Sequence, residues 1–167
     1  MASPRVPAAV LTTLGIAITV TACAPASTGA GARDEVVYQA AIAAVVQAES
    51  DAGGRAFELE IDSGTAQVHV AVGDRDIEVD VDLAGPTVTE RRDDGSLDGE
   101  DRAALDAAGT TLADGIRIAA AVRSASGGVT EAGVDRDADA PAWTVEFADG
   151  AEVSVAVSDG SVVRSAG

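Results

Sequence analysis

Three successive segments of this chain alternate apolar and polar residues with a period of two. They cover residues 57–61, 68–72 and 77–82, and short turns rich in Asp and Gly separate them at 62–64 and 73–76. Because successive side chains of a strand point to opposite faces, this alternation is typical of strands with one buried and one solvated face. The chain is therefore constrained to build an antiparallel meander with tight turns.

A helical pattern precedes these strands and returns after them. Apolar residues recur at spacings of three and four between residues 34 and 48, with Asp34 as the predicted N-cap. About 75 residues further on, Thr111 and Asp114 form a predicted capping box at the start of a second helix. Three further strand-like segments follow that helix, at residues 129–134, 143–147 and 153–157. The second half of the chain thus repeats the order of the first.

We predict an α+β fold of two tandem small domains, each a helix packed on a three- to four-stranded antiparallel sheet. The chain divides into a signal peptide at 1–22, a flexible tether at 23–33, a first domain at 34–89, an acidic connector with a short helix at 90–109, and a second domain at 110–167. Within the connector, residues 93–96 are expected to form a loop and 100–108 the helix. We expect Trp143 and Phe147 in the core, since the second domain has few other large side chains.

The first residues of the chain have the features of an export signal. Arg5 is the only charged residue of this segment, and an apolar run follows at residues 8–20. That run is too short to cross a bilayer, which takes about 20 apolar residues. The tetrapeptide Val-Thr-Ala-Cys that ends at Cys23 resembles the lipobox of bacterial lipoproteins.

The lipobox resemblance implies that Cys23 is lipidated and becomes the first residue of the mature chain. In that family the cysteine thiol is diacylglycerylated, and two acyl chains, at about 0.8 kcal/mol per buried methylene, make a stable anchor. The implied location is the cell membrane, on its extracytoplasmic face. Cys23 is the only cysteine, so an internal disulfide is excluded. The alternative is an incidental cysteine after an ordinary signal peptide.

The repeated part of the chain resembles the PepSY domain family. The matching segments are Thr-Leu-Ala-Asp-Gly-Ile at 111–116, Gly-Gly at 127–128, Trp-Thr-Val-Glu-Phe at 143–147 and Val-Ser-Val-Ala-Val-Ser-Asp-Gly-Ser-Val-Val at 153–163. The first half is similar at 79–88, so the resemblance extends over residues 34–167. PepSY units are noncatalytic and occur in propeptides of thermolysin-like metallopeptidases and in cell-envelope proteins. The resemblance therefore implies binding or inhibition of a peptidase outside the cytoplasm.

The composition argues against several classes of function. Acidic residues outnumber basic ones 28 to 11, and every basic residue is Arg, which disfavours binding to the phosphates of nucleic acid. One His and one Cys cannot supply a zinc site built on these residue types, nor a Cys–His catalytic pair once Cys23 carries lipid. The chain has no Gly-x-x-x-x-Gly-Lys motif, and its four aromatic residues leave little to stack on a sugar or a flat cofactor. We therefore expect no enzymatic activity, no catalytic residues and no cofactor.

The carboxylates of the strands remain as candidates for binding. Alternation places two acidic sets on the outer strand faces, Glu58, Glu60 and Asp62 in one strand and Glu78, Asp80 and Asp82 in another. We expect His69 to lie on the same solvated side. Because Ca²⁺ prefers oxygen ligands, the second set is a weak candidate for a metal site. The alternative interpretation is an acidic solvated face, since no EF-hand loop motif occurs.

The predicted function is that of a noncatalytic, lipid-anchored binding protein of the cell envelope. Its partner would be an envelope or secreted protein, such as a peptidase that it modulates or inhibits. The alternative is a sensing module that binds Ca²⁺, another divalent cation or the cell wall on its acidic sheet faces. Electrostatics favour a basic or divalent partner in either case.

Overall fold

The computed structural model describes residues 30–123, 128–135 and 140–167, and for residues 30–37 it describes the backbone alone. The predicted signal peptide, Cys23 and most of the predicted tether lie outside these residues. Within them, no helix is both long enough and apolar enough to cross a membrane.

Three helices and eight strands make up the described part of the chain. The first half contains α1 (Ala30–Ala52), β1 (Arg55–Asp62), β2 (Thr65–Val72), β3 (Arg75–Asp82) and β4 (Thr87–Ser96). The second half contains α2 (Gly99–Ala107), α3 (Leu112–Val122), β5 (Val129–Asp135), β6 (Ala142–Phe147), β7 (Glu152–Ala156) and β8 (Val162–Ala166). The three alternating segments of the first half are therefore strands, as predicted.

All eight strands belong to one antiparallel sheet, in the order β4-β3-β2-β1-β5-β6-β7-β8. The two halves join where β1 pairs with β5, from Glu58 opposite Gly133 to Glu60 opposite Glu131. The α+β class is confirmed, whereas the expected pair of separate sheets is replaced by a single one. The reason is that β1 and β5, left apart, would each expose a row of unpaired N–H and C=O groups, and their pairing satisfies both rows.

Helices α1 and α3 pack on the same face of this sheet. Helix α1 contacts β2 and β3, α3 contacts β6 and β7, and the two helices contact each other. The buried apolar residues of both halves form one cluster, built mainly from Val and Ala. The core therefore continues across the junction of β1 with β5.

Trp143 is the largest of the fully buried side chains. It is 0% exposed, and its indole N–H donates to the Thr110 hydroxyl at 2.9 Å, so the one polar atom of the ring has a partner. Phe147 lies on the same strand and is also buried. Both residues occupy the core, as predicted.

Helix α3 begins at the predicted capping box. The Thr111 hydroxyl accepts from the Asp114 N–H at 3.1 Å, and the Thr111 N–H donates to an Asp114 carboxylate oxygen at 3.2 Å. Burial works against the charged form of Asp114, but these hydrogen bonds and the nearby Arg117 outweigh it and lower the pKa of Asp114. The charged carboxylate thus stabilises the start of the helix.

Three features of the secondary structure differ from those expected. Helix α1 begins at Ala30, so Asp34 lies inside it and not at its N-cap; the Ala-rich start has good helix propensity. The expected loop at 93–96 is the end of β4, because these residues pair with the first residues of β3. Strand β8 was not predicted, and it pairs with β7 at the opposite edge of the sheet.

Gly115 of α3 lies directly against the Trp143 side chain. A Cβ at this position would stand 2.8 Å from both Cβ and Cγ of Trp143. We expect Gly115→Ala to destabilise the protein by about 1–3 kcal/mol, the usual cost of overpacking a core, although Ala is the better helix former. Urea unfolding followed by tryptophan fluorescence measures this change.

Gly99→Ala at the start of α2 is the matched control. A Cβ there meets no atom within 4 Å, so the stability should stay the same or rise slightly. Equal destabilisation by the two variants would contradict the packing argument.

Candidate functional site on the acidic sheet face

The face of the sheet opposite α1 and α3 is largely uncovered. Only α2 reaches it in the described part of the chain, at the start of β1, where the Arg55 guanidinium donates to the Leu105 carbonyl at 2.7 Å. Cross-strand neighbours stand on the same face of a sheet, so the strand register fixes which polar side chains meet here. Two rows of such neighbours cross the sheet.

The first row, which we call the acidic row, takes one residue from each of seven neighbouring strands. Its members are Glu90, Asp80, Gln67, Glu60, Glu131, Glu146 and Glu152, in order from β4 to β7. Six of the seven carry a carboxylate. At about 4.8 Å between neighbouring strands, directly opposed like charges repel by about 0.2–1 kcal/mol per pair.

The second row, which we call the mixed row, runs beside it across all eight strands. Its members are Arg92, Glu78, His69, Glu58, Gly133, Thr144, Ser154 and Arg164. Its two arginines stand at the opposite edges of the sheet, on β4 and β8.

These two arginines form ion pairs with carboxylates at the two edges of the face, which we call its flanks. Arg92 forms a bidentate ion pair with Glu78, with Nε 2.9 Å from one carboxylate oxygen, and also lies 3.4 Å from Glu90. Arg164 pairs with Glu152 at the other edge. Both arginines are therefore already engaged by carboxylates of their own flank.

In the described part of the chain, no arginine pairs with the carboxylates at the centre of the face. Glu58, Glu60, Glu131 and Glu146, which we call the central glutamates, have no ion-pair or hydrogen-bond partner among the described residues. Burial and the charges of the other three raise the pKa of Glu131. The negative potential is therefore concentrated where the two halves of the sheet join.

A cavity of about 220 Å³ opens at this centre. Its lining consists of Phe57, Glu58, Asp101, Glu131, Gly133, Val134, Asp135, Thr144 and Glu146. A β-bulge between Ala56 and Glu58 inserts Phe57 on this face, where the residue is 5% exposed. Gly133 adds no side chain, so the cavity combines an apolar floor with a rim of carboxylates.

The candidates predicted from the sequence have separate surroundings. Glu78 pairs with Arg92, and an Asp80 oxygen lies 4.0 Å from the same guanidinium. Asp82 accepts from the Ala84 N–H at 2.8 Å in the turn that follows β3. Of the acidic set in the first strand, Glu58 and Glu60 belong to the central glutamates.

His69 lies on the predicted face, but its expected solvation is wrong. The side chain is only 22% exposed, because the ring packs against Phe57 at 5.9 Å between centroids. Nδ1 lies 2.9 Å from an Asp76 carboxylate oxygen. Burial opposes the charged form, but Asp76, Glu58 and Glu78 outweigh it and raise the pKa of His69.

Three further residues of this site were not predicted from the sequence: Glu131, Glu146 and Asp135. Their alternation with apolar residues places them on an outer face, but it does not say which strand lies beside them. Their neighbours are set by the pairing of β1 with β5. This pairing joins two distant segments, and neither segment alone carries a signal for it.

The repulsion among the central glutamates predicts how the removal of one of their charges changes the stability of the protein. A glutamate whose pKa is raised in the folded protein contributes stability below its unfolded pKa and loses it as the pH rises through the folded pKa. Glu131→Gln should therefore stabilise the protein at pH 7 by up to about 1 kcal/mol, with the gain fading toward pH 4. Urea unfolding at several pH values measures it.

Glu152→Gln is the matched control, since Glu152 stands in the same row but pairs with Arg164. This variant should leave stability unchanged or lower it by less than about 1 kcal/mol. A loss of stability in Glu131→Gln at pH 7 would contradict the proposed repulsion.

The chain matches no protein-family model and no curated protein. Among solved structures it is similar to that of a "putative lipoprotein" from Clostridium difficile 630, with 20% identity and a TM-score of 0.43. The similarity covers 74% of this chain and 89% of that one. The PepSY resemblance therefore stays a prediction from the sequence.

Proposed function

We propose that the protein is a noncatalytic binding protein of the cell envelope, anchored through lipid on Cys23, and that its central glutamates bind a cationic segment of a protein partner. The observation that carries this proposal is the lack of a compensating cation among the residues that the structure describes. Four carboxylates converge on the centre of an uncovered face, and none has an ion-pair partner among the described residues. A partner that brings positive charge would relieve a repulsion already present in the free protein.

The placement of the arginines supports this choice. Arg92 and Arg164 stand at the two ends of the mixed row, about 34 Å apart at about 4.8 Å per strand. In the described part of the sheet, no basic side chain of the two rows lies between them except His69, which pairs with Asp76. Among the described residues, the basic side chains of the two rows therefore do not occupy the centre of the face.

The chemistry of the cavity favours arginine or lysine side chains. Carboxylates accept two parallel hydrogen bonds from a guanidinium, and the aliphatic stems of both residues pack well on an apolar surface. Glu58, Glu131 and Glu146 supply the first kind of contact, and Phe57 supplies the second. The proposed ligand is thus a short basic segment of an extracytoplasmic protein.

The PepSY resemblance suggests a peptidase as that protein. This family implies a noncatalytic role next to an extracytoplasmic peptidase or another envelope protein. The repeated order of a helix and four strands supports a tandem repeat. The negative face would repel the phosphates of nucleic acid. We assign the protein no reaction of its own.

A second candidate ligand is Ca²⁺, favoured by the same cavity. Calcium takes six to eight oxygen ligands at 2.3–2.6 Å, and five of the lining residues carry carboxylates: Glu58, Asp101, Glu131, Asp135 and Glu146. Binding of calcium would serve cation sensing rather than protein recognition. Calorimetric titrations with a basic peptide and with calcium distinguish the two candidate ligands.

Binding is tested with an arginine-rich peptide and an acidic peptide of the same length. We expect the arginine-rich peptide alone to bind, and the double variant Glu60→Gln/Glu131→Gln to weaken it at least about tenfold, since close charge pairs at interfaces couple by about 1.5 kcal/mol or more. Affinity should fall with added salt. Isothermal titration calorimetry measures both effects.

The control variant Glu90→Gln removes a charge at the flank that Arg92 compensates, and it should change the affinity little. Gly133→Leu fills the cavity while keeping every carboxylate, so it distinguishes insertion into the cavity from contact with the surface. Equal peptide affinity in the wild type and the double variant would overturn the proposal. Calcium heat that the double variant abolishes, without peptide binding, would favour the second candidate.

The anchor has its own test. Cys23→Ser should move the protein from the membrane fraction to the soluble fraction, because one thiol carries the proposed lipid. Cell fractionation and the mass of the N-terminal peptide measure this outcome. A wild-type chain with an unmodified Cys23 would contradict lipid anchoring and leave the peptide-binding proposal standing.

A further inference from the structure

His69, Asp76 and Asp94 form a second cluster on the same sheet face, beside the central glutamates, because His69 stands opposite Glu58. One ligand atom of each residue lies within 4.8 Å of one from each of the other two. His69 belongs to β2, Asp76 to β3 and Asp94 to β4. Three neighbouring strands therefore contribute one metal-ligating side chain each.

The third residue of the cluster stands at a β-bulge of β4. Asp76 stands opposite Gly95, while the next residue of β3 stands opposite Asp93, so Asp94 is the extra residue of β4. An extra residue re-aims its side chain relative to the regular alternation. Asp94 is exposed, and it has no hydrogen-bond or ion-pair partner in the described part of the chain.

We propose that His69, Asp76 and Asp94 bind a divalent first-row transition metal ion, with Zn²⁺ as the representative. An imidazole nitrogen with two carboxylates suits zinc, manganese, cobalt or nickel better than calcium or magnesium, which prefer oxygen ligands throughout. This site shares no residue with the central glutamates and does not depend on the proposed peptide binding.

The distances fit such an ion after a small movement. Zinc binds nitrogen at about 2.0–2.1 Å and carboxylate oxygen at about 2.0–2.2 Å, so two ligand atoms on one ion lie about 3–4 Å apart. His69 Nδ1 and Asp76 already stand 2.9 Å apart. Rotation of the exposed Asp94 side chain closes the remaining gap, and water would complete the coordination on the open side.

The surrounding charges favour a cation at this position. Glu58 and Glu78 act on the His69 ring in addition to Asp76. Phe57 packs against the ring and limits its rotation. A metal ion would replace the imidazole proton and bring one further positive charge to the two aspartates, which a single protonated histidine does not balance.

The chain itself supplies a specific probe, because His69 is its only histidine. We would titrate ZnCl₂ into the purified protein without a histidine tag and follow the imidazole signals by NMR, with calorimetry for stoichiometry. One ion per chain should shift or broaden these signals and raise the melting temperature, since a ligand of the folded state stabilises it. Ca²⁺ at the same concentration should not move the imidazole signals.

Asp94→Asn is the decisive variant. Because Asp94 is exposed, this substitution should leave the protein folded. It should weaken zinc binding by about 10-fold or more, as should His69→Gln, because each removes one of three ligands. The control Asp93→Asn makes the same change one residue away, at a carboxylate that pairs with Arg75, and should alter the affinity by less than about twofold. Imidazole signals that do not respond to zinc, or equal affinity in Asp94→Asn and the wild type, would overturn the proposal.

Discussion

The antiparallel pairing of β1 with β5 is the interaction on which the rest of the structure depends. It joins two meanders into one sheet, lets one hydrophobic cluster extend under both halves, and leaves the opposite face as a single surface. The same pairing places Glu60 directly opposite Glu131, which costs free energy in the absence of a cation. Satisfied backbone groups and buried apolar area outweigh that cost. The candidate site is thus a consequence of how the halves are joined, not of either half alone.

Two β-bulges lie at the two candidate sites. In β1 the extra residue is Phe57, which gives the acidic face an apolar floor; in β4 it is Asp94, which adds a third potential ligand beside His69 and Asp76. In a regular register Phe57 would stand opposite Val70 and face the helices, whereas Asp94 would stand opposite Asp76. The apolar floor of the cavity therefore depends on an irregularity of the sheet, whereas the carboxylates around it are ordinary surface residues.

Much of the fold could be predicted from local patterns in the sequence. Strong alternation located β1, β2 and β3, and the Thr111–Asp114 box located the start of α3. Strand β4 was missed because it lies at an edge, where nearly every side chain is exposed and the apolar alternation that identifies a strand is absent. Half of the central glutamates were predicted on an outer face, but their meeting with Glu131 and Glu146 depends on long-range register. Register follows from the pairing of distant strands and leaves no trace in either segment alone.

The scarcity of aromatic residues has a practical consequence for the study of this chain. Its single tryptophan lies buried in β6, and its single histidine lies in β2, so each half of the sheet contains one spectroscopic reporter. Fluorescence of Trp143 and the imidazole signals of His69 therefore report on opposite sides of the β1–β5 junction. Coincident unfolding curves from the two would mean that the sheet melts as one cooperative unit, and separate curves would mean that each half is a unit of its own.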